Sequence, residues 1–239
     1  MACLRPSRET DAIYRAADTR RRAQGRGKSE GEVCVNVPNR SVFINCPFDE
    51  DYKQSFEAML FTLLASGYQP HCALEENDAG DIRFEKLCRL IQYCDRSVHD
   101  LSRVELGPHG LPRFNMPFEL GLFMGARRYG GKRQRTKSAL IMINEPYRLP
   151  VYLSDLAGND PEAHHGKPGE VIRIVRRYLH ERPNGTPLPG AGRILARFEL
   201  FKAALPDLSS VLEITPDEVD PFRDYRTYMW LMAEFIRSA

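Results

Sequence analysis

Glu119 is where the sequence most plainly offers chemistry. From Phe118 to Ala126 the chain reads FELGLFMGA, a single carboxylate in an otherwise apolar run of helical character. An ionised side chain taken from water without a partner costs several kcal/mol or shifts its pKa, so such residues are usually paired or working. At the start of a helix two effects compete. The unpaired amides and the dipole favour the charged form, whereas burial among Phe118, Leu122 and Phe123 favours the neutral one, and the outcome is a tuned acid. A capping-box glutamate is the structural alternative. Met116 as N-cap would put Glu119 at the required third position, but a box also wants Ser or Thr at the cap, and Asn115 as cap would leave Glu119 one place too late.

Asp100 is the second candidate carboxylate. It follows apolar Val98 at the end of a strand-like segment, where a side chain of a doubly wound fold commonly faces the ligand crevice; a turn-forming or capping aspartate is the other account. His99 beside it points to the opposite face and reads as a satisfied core histidine. Gly121 and Gly125, four apart, read as close-packing positions on the helix that carries Glu119.

These side chains need elements to hold them. SVFINC reads as a strand, and YKQSFEAMLFTLLASG as a helix with Tyr52, Phe56, Met59, Leu60, Leu63 and Leu64 on one stripe, Asp49 as cap and Gly67 as stop. HCALE (71–75) reads as a second strand, IRFEKLCRLIQYC as a second helix, RSVHDLS as a third strand, Pro117 to Tyr129 as a third helix and SALIMIN as a fourth strand. Strict alternation implies crossovers and a parallel sheet covered on both faces, so the expected fold is α/β, doubly wound. Ligands then bind at the carboxyl ends of the strands. That rule gathers Asn45 to Asp49, Glu75 to Asp78, Asp100 to Ser102 and Asn144 to Glu145 along one edge with the start of the third helix.

Segments outside this alternation read differently. Residues 1–38 are Arg-rich with few large apolar side chains and read as a mobile basic tail; residues 39–150 form the α/β domain; VIRIVRRYLHE, ILARFELFKAAL and RTYMWLMAEFIRS make 151–239 a mainly helical extension packed on it. Trp230 falls on the polar face of the last of these, as a contact residue or as packing against the sheet domain. His164-His165 has no third ligand at metal spacing and reads as loop, and no Cys/His pattern suggests zinc. The six cysteines read as free thiols, mostly buried.

With 34 basic and 32 acidic residues the net charge is +2, too small an imbalance to imply nucleic acid. The basic cluster Arg127, Arg128, Lys132, Arg133, Arg135 and Lys137 lacks the spacing of a Walker motif and falls at the amino edge of the sheet, where a solvated turn is the default and a polyanion contact the alternative. No apolar run is long enough to span a membrane and no apolar stretch follows the N-terminal arginines, so the expected location is the cytoplasm.

FINCPFDEDY after the first strand, HDLS at the third and NMPFELGLFMGA on the third helix together resemble the nucleoside 2-deoxyribosyltransferase-like and TIR-like superfamily of bacterial nucleotide-binding proteins. Asn115, Phe118, Glu119, Leu120 and Gly121 match its Asn-x-x-aromatic-Glu-aliphatic-Gly segment, and the resemblance covers roughly residues 41–145. It implies a flavodoxin-like sheet and cleavage or transfer at an N-glycosidic bond of a nucleoside, nucleotide or NAD-like substrate. Glu119 would be nucleophile or oxocarbenium stabiliser, and Asp100 a base- or sugar-contacting carboxylate. Asn45, Pro47 and Phe48 would form the loop over the base, with Ser102, Asn115 and Phe118 also on the substrate. The resemblance implies no cofactor, NAD entering only as substrate, and points to a bacterial stress or phage-defence effector that could self-associate. A non-catalytic nucleotide sensor is the alternative. Where the transferases carry Asp-Ser-Gly-Thr before the glutamate, this chain has Pro112-Arg113-Phe114-Asn115, which leaves deoxyribosyl transfer and its acceptor open.

Overall fold

Strand burial sets the architecture. In the computed structural model, which describes residues 40–75, 80–103, 113–146, 151–156, 158–215 and 217–238, β1 (Ser41–Asn45) is buried along its whole length. β3 (Arg96–Asp100) and β4 (Ser138–Ile143) are buried from their second and third residues onward. Strands buried on both faces need helices on both sides. With β2 (Gln69–His71) and β5 (Glu162–Ala163) they form a five-stranded, all-parallel sheet in the order β2-β1-β3-β4-β5. This is the flavodoxin-like doubly wound fold, and its strand order reverses between β1 and β3.

Alternation along the strands sorts the core. Val42, Ile44, Val98, Leu140 and Met142 face α1 (Lys53–Ala65) and α4 (Pro168–Leu179). Phe43 meets α2 (Arg83–Tyr93) and α3 (Asn115–Tyr129) on the other face, through Leu87, Leu90, Ile91 and Phe123. Successive side chains change face. Asp100 therefore projects with Val98 towards α1, while Asn45 and His99 project towards α3.

The second strand lies earlier than HCALE: it ends at His71, and Cys72 begins a turn closed by Glu75 N–H on the Cys72 carbonyl at 3.2 Å. Pro70 is tolerated there because β2 is an edge strand and needs no donor on its outer side. The third strand stops at Asp100 because its carboxylate takes the Ser102 amide. A fifth strand, Glu162–Ala163, lies in the segment read as loop. That strand and α4 come from beyond residue 150, within the one compact unit that Pro38–Ala239 forms. The basic segment 1–38, Cys3 and Cys34 lie outside the described residues; Cys46, Cys72, Cys88 and Cys94 are free thiols. Among the described residues no helix is long and apolar enough to cross a membrane.

α1 is buried nearly all round, because α5 (Ala191–Val211) and α6 (Tyr225–Ser238) cover the side that α4 and the sheet leave open. Phe61 packs on Phe198, Phe201 and Phe235. Glu57 sits in the middle of this contact, 1% exposed, accepting from Lys202 Nζ at 2.6 Å and Tyr228 Oη at 2.9 Å. A buried carboxylate that loses its cation is left uncompensated. Lys202→Met is therefore expected to cost about 2 kcal/mol, read as a lower denaturant midpoint at unchanged slope, because the Tyr228 hydroxyl still satisfies one oxygen.

Two glycine readings change. A Cβ at Gly121 or Gly125 would meet nothing within 4 Å, so neither position is a close-packing site; both lie towards open space. Gly130 is the glycine that sterics demand. A Cβ there would stand 2.4 Å from the Ala126 carbonyl oxygen and 2.5 Å from Gln134 Cβ, because the 3-10 turn Gln134–Thr136 folds back onto the end of α3.

Candidate functional site

The carboxyl edge of the sheet holds two groups of polar side chains, one on each side of the switch point. On the α1 side, Asp100 is fully buried and its oxygens are taken. Oδ2 accepts Tyr52 Oη at 2.5 Å and His164 Nε2 at 3.0 Å, and Oδ1 accepts the Ser102 amide at 2.9 Å. Burial alone would raise this carboxyl, but the hydrogen bonds from His164, Ser102 and Tyr52 outweigh it and hold the group below the usual aspartate value. The same proximity, on top of burial, pushes the Tyr52 hydroxyl well up, so it stays protonated as a donor to Asp100.

Backbone pairing past the end of β5 fixes His164: its amide donates to the Ile143 carbonyl at 3.0 Å, and that of His165 to Asn144 at 2.9 Å. A turn at positive φ, His165 (56°) then Gly166 (65°), brings the Gly166 N–H onto His164 Nδ1 at 3.0 Å. A nitrogen that accepts cannot carry the proton, so His164 is the neutral Nε2–H tautomer. Ser102 Oγ lies 2.7 Å from that same Nε2. The trio Ser102, His164 and Asp100 is thus no nucleophilic triad: one nitrogen serves both partners and has no lone pair to take the serine proton. Ser102 keeps its own hydrogen to offer to a ligand.

These groups wall a cavity of about 210 Å³ lined by Tyr52, Ser55, Ser102, Arg103, Asn144 and His164, together with Asp51 and Gly166. Asp100 stands behind the wall and organises it. Asp49 ties the rim: its Oδ1 caps Tyr52 N–H at 3.2 Å, and its Oδ2 lies 3.6 Å from Arg103 Nε and 3.0 Å from an Arg113 terminal nitrogen. Both flanks of the segment between β3 and α3 are so held to the loop after β1.

On the α3 side stands Glu119. The helix starts at Asn115 with Phe114 as N-cap, so Glu119 is the fifth helical residue and cannot close a capping box. It is also past the first turn, where the helix dipole has faded. Burial wins the competition and pushes its carboxyl up to about 7, against a small opposing pull from Arg83. Among the described residues Glu119 has no hydrogen bond or ion pair. Phe118, next to it in sequence, and Phe114, at the helix cap, are 54% and 55% exposed, and the Phe118 ring lies 6.2 Å from that of Phe84, itself 45% exposed.

Not every residue expected at the edge faces a ligand. Asn45 is buried and spends its amide on the Met116 carbonyl at 2.8 Å and His99 Nδ1 at 2.9 Å, strapping the start of α3 to the ends of β1 and β3. Pro47 is buried, and Phe48 packs edge-on against Phe56 and Phe222 in the α1 core. Asn115 is exposed at the helix start. Ser102 lines the cavity. His99 is core, edge-on to Phe43 and Phe123, with its pKa lowered to about 3 by burial; its Nε2 has no hydrogen-bond partner, so the histidine is only partly satisfied. Trp230 is 47% exposed on α6.

Asp100 and Glu119 thus approach the edge from opposite faces of the sheet. Cys46, at the end of β1, feels both: burial first, then the charges of Asp100 and Glu119 among others, push its thiol well up. Among the described residues no group of three or more His, Cys, Asp or Glu side chains is placed to hold a metal ion. What the arrangement offers is a half-buried carboxylate on a helix that also carries an exposed aromatic ring, and a polar cavity with fixed donors and acceptors. No protein-family model matches the chain, and no curated protein matches it significantly.

Proposed function

We propose that the chain binds a nucleoside, nucleotide or NAD-like molecule at the carboxyl edge of its sheet and cleaves the N-glycosidic bond, or transfers the glycosyl group, as the nucleoside 2-deoxyribosyltransferase-like and TIR-like proteins that it resembles would. The observation that carries this reading is the Glu119 carboxyl: half-buried, without a hydrogen-bond or ion-pair partner among the described residues, pushed up to about 7 and set beside exposed Phe118. The position supports it too, since doubly wound sheets bind ligands where the strand order reverses.

The chemistry follows from where charge develops. As the bond from C1′ to the base nitrogen breaks, its electron pair leaves with the base and positive charge grows on C1′ and the ring oxygen. A carboxylate already poorly solvated loses little by turning to that cation, and in a low-dielectric site their attraction is strong. Glu119 either holds the oxocarbenium ion through space or forms an ester with C1′, which water or an acceptor hydroxyl opens, the proton passing to the departed base or to solvent. The exposed Phe118 and Phe84 rings offer faces on which a base can stack.

Incubation with NAD and with a panel of nucleosides, followed by chromatography for free base, tests the reading. Release is expected to increase from pH 6 to pH 8 as Glu119 ionises, then to level off. The second reading, a nucleotide sensor, is favoured by the Ser102–His164 cavity, which offers hydrogen-bonding groups to a ligand while His164 has no free lone pair to take a proton from Ser102. It gains if no base is released while a nucleotide raises the melting temperature.

A further inference from the structure

At the other end of α3 the basic cluster divides into parts with different tasks. Lys137 does not belong to it at all: it is 2% exposed, donating to the Ile91 carbonyl at 2.7 Å and to the Cys94 carbonyl, 4.9 Å from the centre of the Phe123 ring. Arg133 is engaged with Asp95 at 3.3 Å and the Tyr93 carbonyl at 2.9 Å. These contacts fasten the loop after α3 to the end of α2. Arg127 and Arg128 are exposed and have no carboxylate or hydrogen-bond partner among the described residues, and Arg135 donates only to the Gly130 carbonyl at 3.2 Å.

The tight Gly130 turn carries Arg135 back beside the helix end, so the three arginines and Met124 line one open concavity of about 540 Å³. That volume is in the range of small-molecule sites. Two arginines in the last helical turn complement the dipole, which accounts for two positive charges at that end but not for a third converging from another element. Three guanidinium groups around one hollow, with no acid in its wall, repel one another until an anion arrives. Their planar forks match phosphate oxygens two at a time.

We propose that this concavity is a second binding site, separate from the carboxyl edge, for a small ligand carrying a chain of phosphates. A single phosphate would engage one or two of the forks; an oligophosphate spans all three. Met124 supplies an apolar wall for whatever the phosphates are attached to.

Calorimetric titration of the full chain with inorganic triphosphate tests this, with orthophosphate and a single-stranded oligonucleotide as comparisons. One equivalent of triphosphate is expected to bind at least tenfold more tightly than orthophosphate. Arg127→Gln and Arg135→Gln should each weaken it tenfold or more, while Arg173→Gln, which removes the same charge from an exposed position on α4, should leave it unchanged. Absence of triphosphate binding overturns the proposal. So does an equal loss in the Arg173→Gln protein, which would mean attraction by net charge alone. Tighter binding of the oligonucleotide through the same arginines would overturn it in favour of a nucleic-acid surface. Since the readout is binding and not base release, the result is independent of what Glu119 does.

Discussion

Glu119→Gln is expected to abolish base release while making the protein more stable above neutral pH. The two effects have one source. Burial raises the carboxyl from its ordinary 4.5 to about 7, so the folded chain prefers the protonated form more than the unfolded chain does. Below about pH 4.5 both states hold the proton and the glutamate costs nothing. Between that value and about 7 the unfolded chain has released its proton and the folded one has not, so stability falls as pH rises. Above 7 both are ionised and the penalty is constant. The full shift corresponds to about 3 kcal/mol, and partial contact with water reduces it to about 1–3 kcal/mol.

Glutamine keeps the shape and carries no charge. The variant should match the parent near pH 4.5 and melt roughly 3–8 °C higher at pH 8, measured by scanning calorimetry. Base release should fall by about 10²–10³-fold, the loss typical when an electrostatic stabiliser of the transition state is removed. Stability gained where activity is lost is the trade expected of a site held for function. A variant that releases base at the parental rate, or a melting gain that is the same at both pH values, would remove Glu119 from the mechanism.

That carboxylate could be read from the sequence because its anomaly is local: one acid among apolar neighbours in a helical run. The alternation of strands and helices was legible for a similar reason, since period and punctuation lie within each segment. His164 was not. Its strand is two residues long and shows no apolar alternation. The signal that could have found it is topological: strict alternation leaves room for one more strand between β4 and the helix beginning at Pro168, and DPEAHH stands just before that helix. In the sequence Tyr52 belongs to a core stripe. Its hydroxyl meets Asp100 across 48 positions, a pairing no local pattern carries.

Lys137 and Asn45 show the same limit from the other side. Lys137 looks like one more charge in a basic run until the strand it precedes draws it under the end of α2. Asn45 sits at the edge where ligands bind, but its place in the strand turns its amide towards α3 and the Met116 carbonyl, and not towards Asp100.

Asp100→Asn is expected to be the most damaging single substitution for stability, with a pH dependence opposite to that of Glu119. The carboxylate receives three donors: the Tyr52 hydroxyl and His164 Nε2–H on one oxygen, and the Ser102 amide on the other. An asparagine amide cannot satisfy them. If its NH₂ replaces Oδ2 it faces the imidazole N–H, and if it replaces Oδ1 it faces the Ser102 N–H. Either way two donors meet at a fully buried position. Breaking a buried, fully bonded carboxylate costs about 3–5 kcal/mol, roughly 10 °C for a unit of this size. Ser102→Ala, which removes the hydroxyl but keeps the amide, should cost about 1 kcal/mol.

The acid limb supplies the test. A carboxyl held below its unfolded value of about 3.9 contributes stability that is fully present above that pH and is lost as pH falls through the folded value. The gap between parent and Asp100→Asn in urea denaturation should therefore be largest at pH 7 and shrink below pH 4, while the gap between parent and Glu119→Gln opens only above pH 5. If the first gap were as wide at pH 3 as at pH 7, the charge on Asp100 would not be what holds Tyr52, His164 and Ser102 around the cavity. Their geometry would then have to be attributed to packing alone.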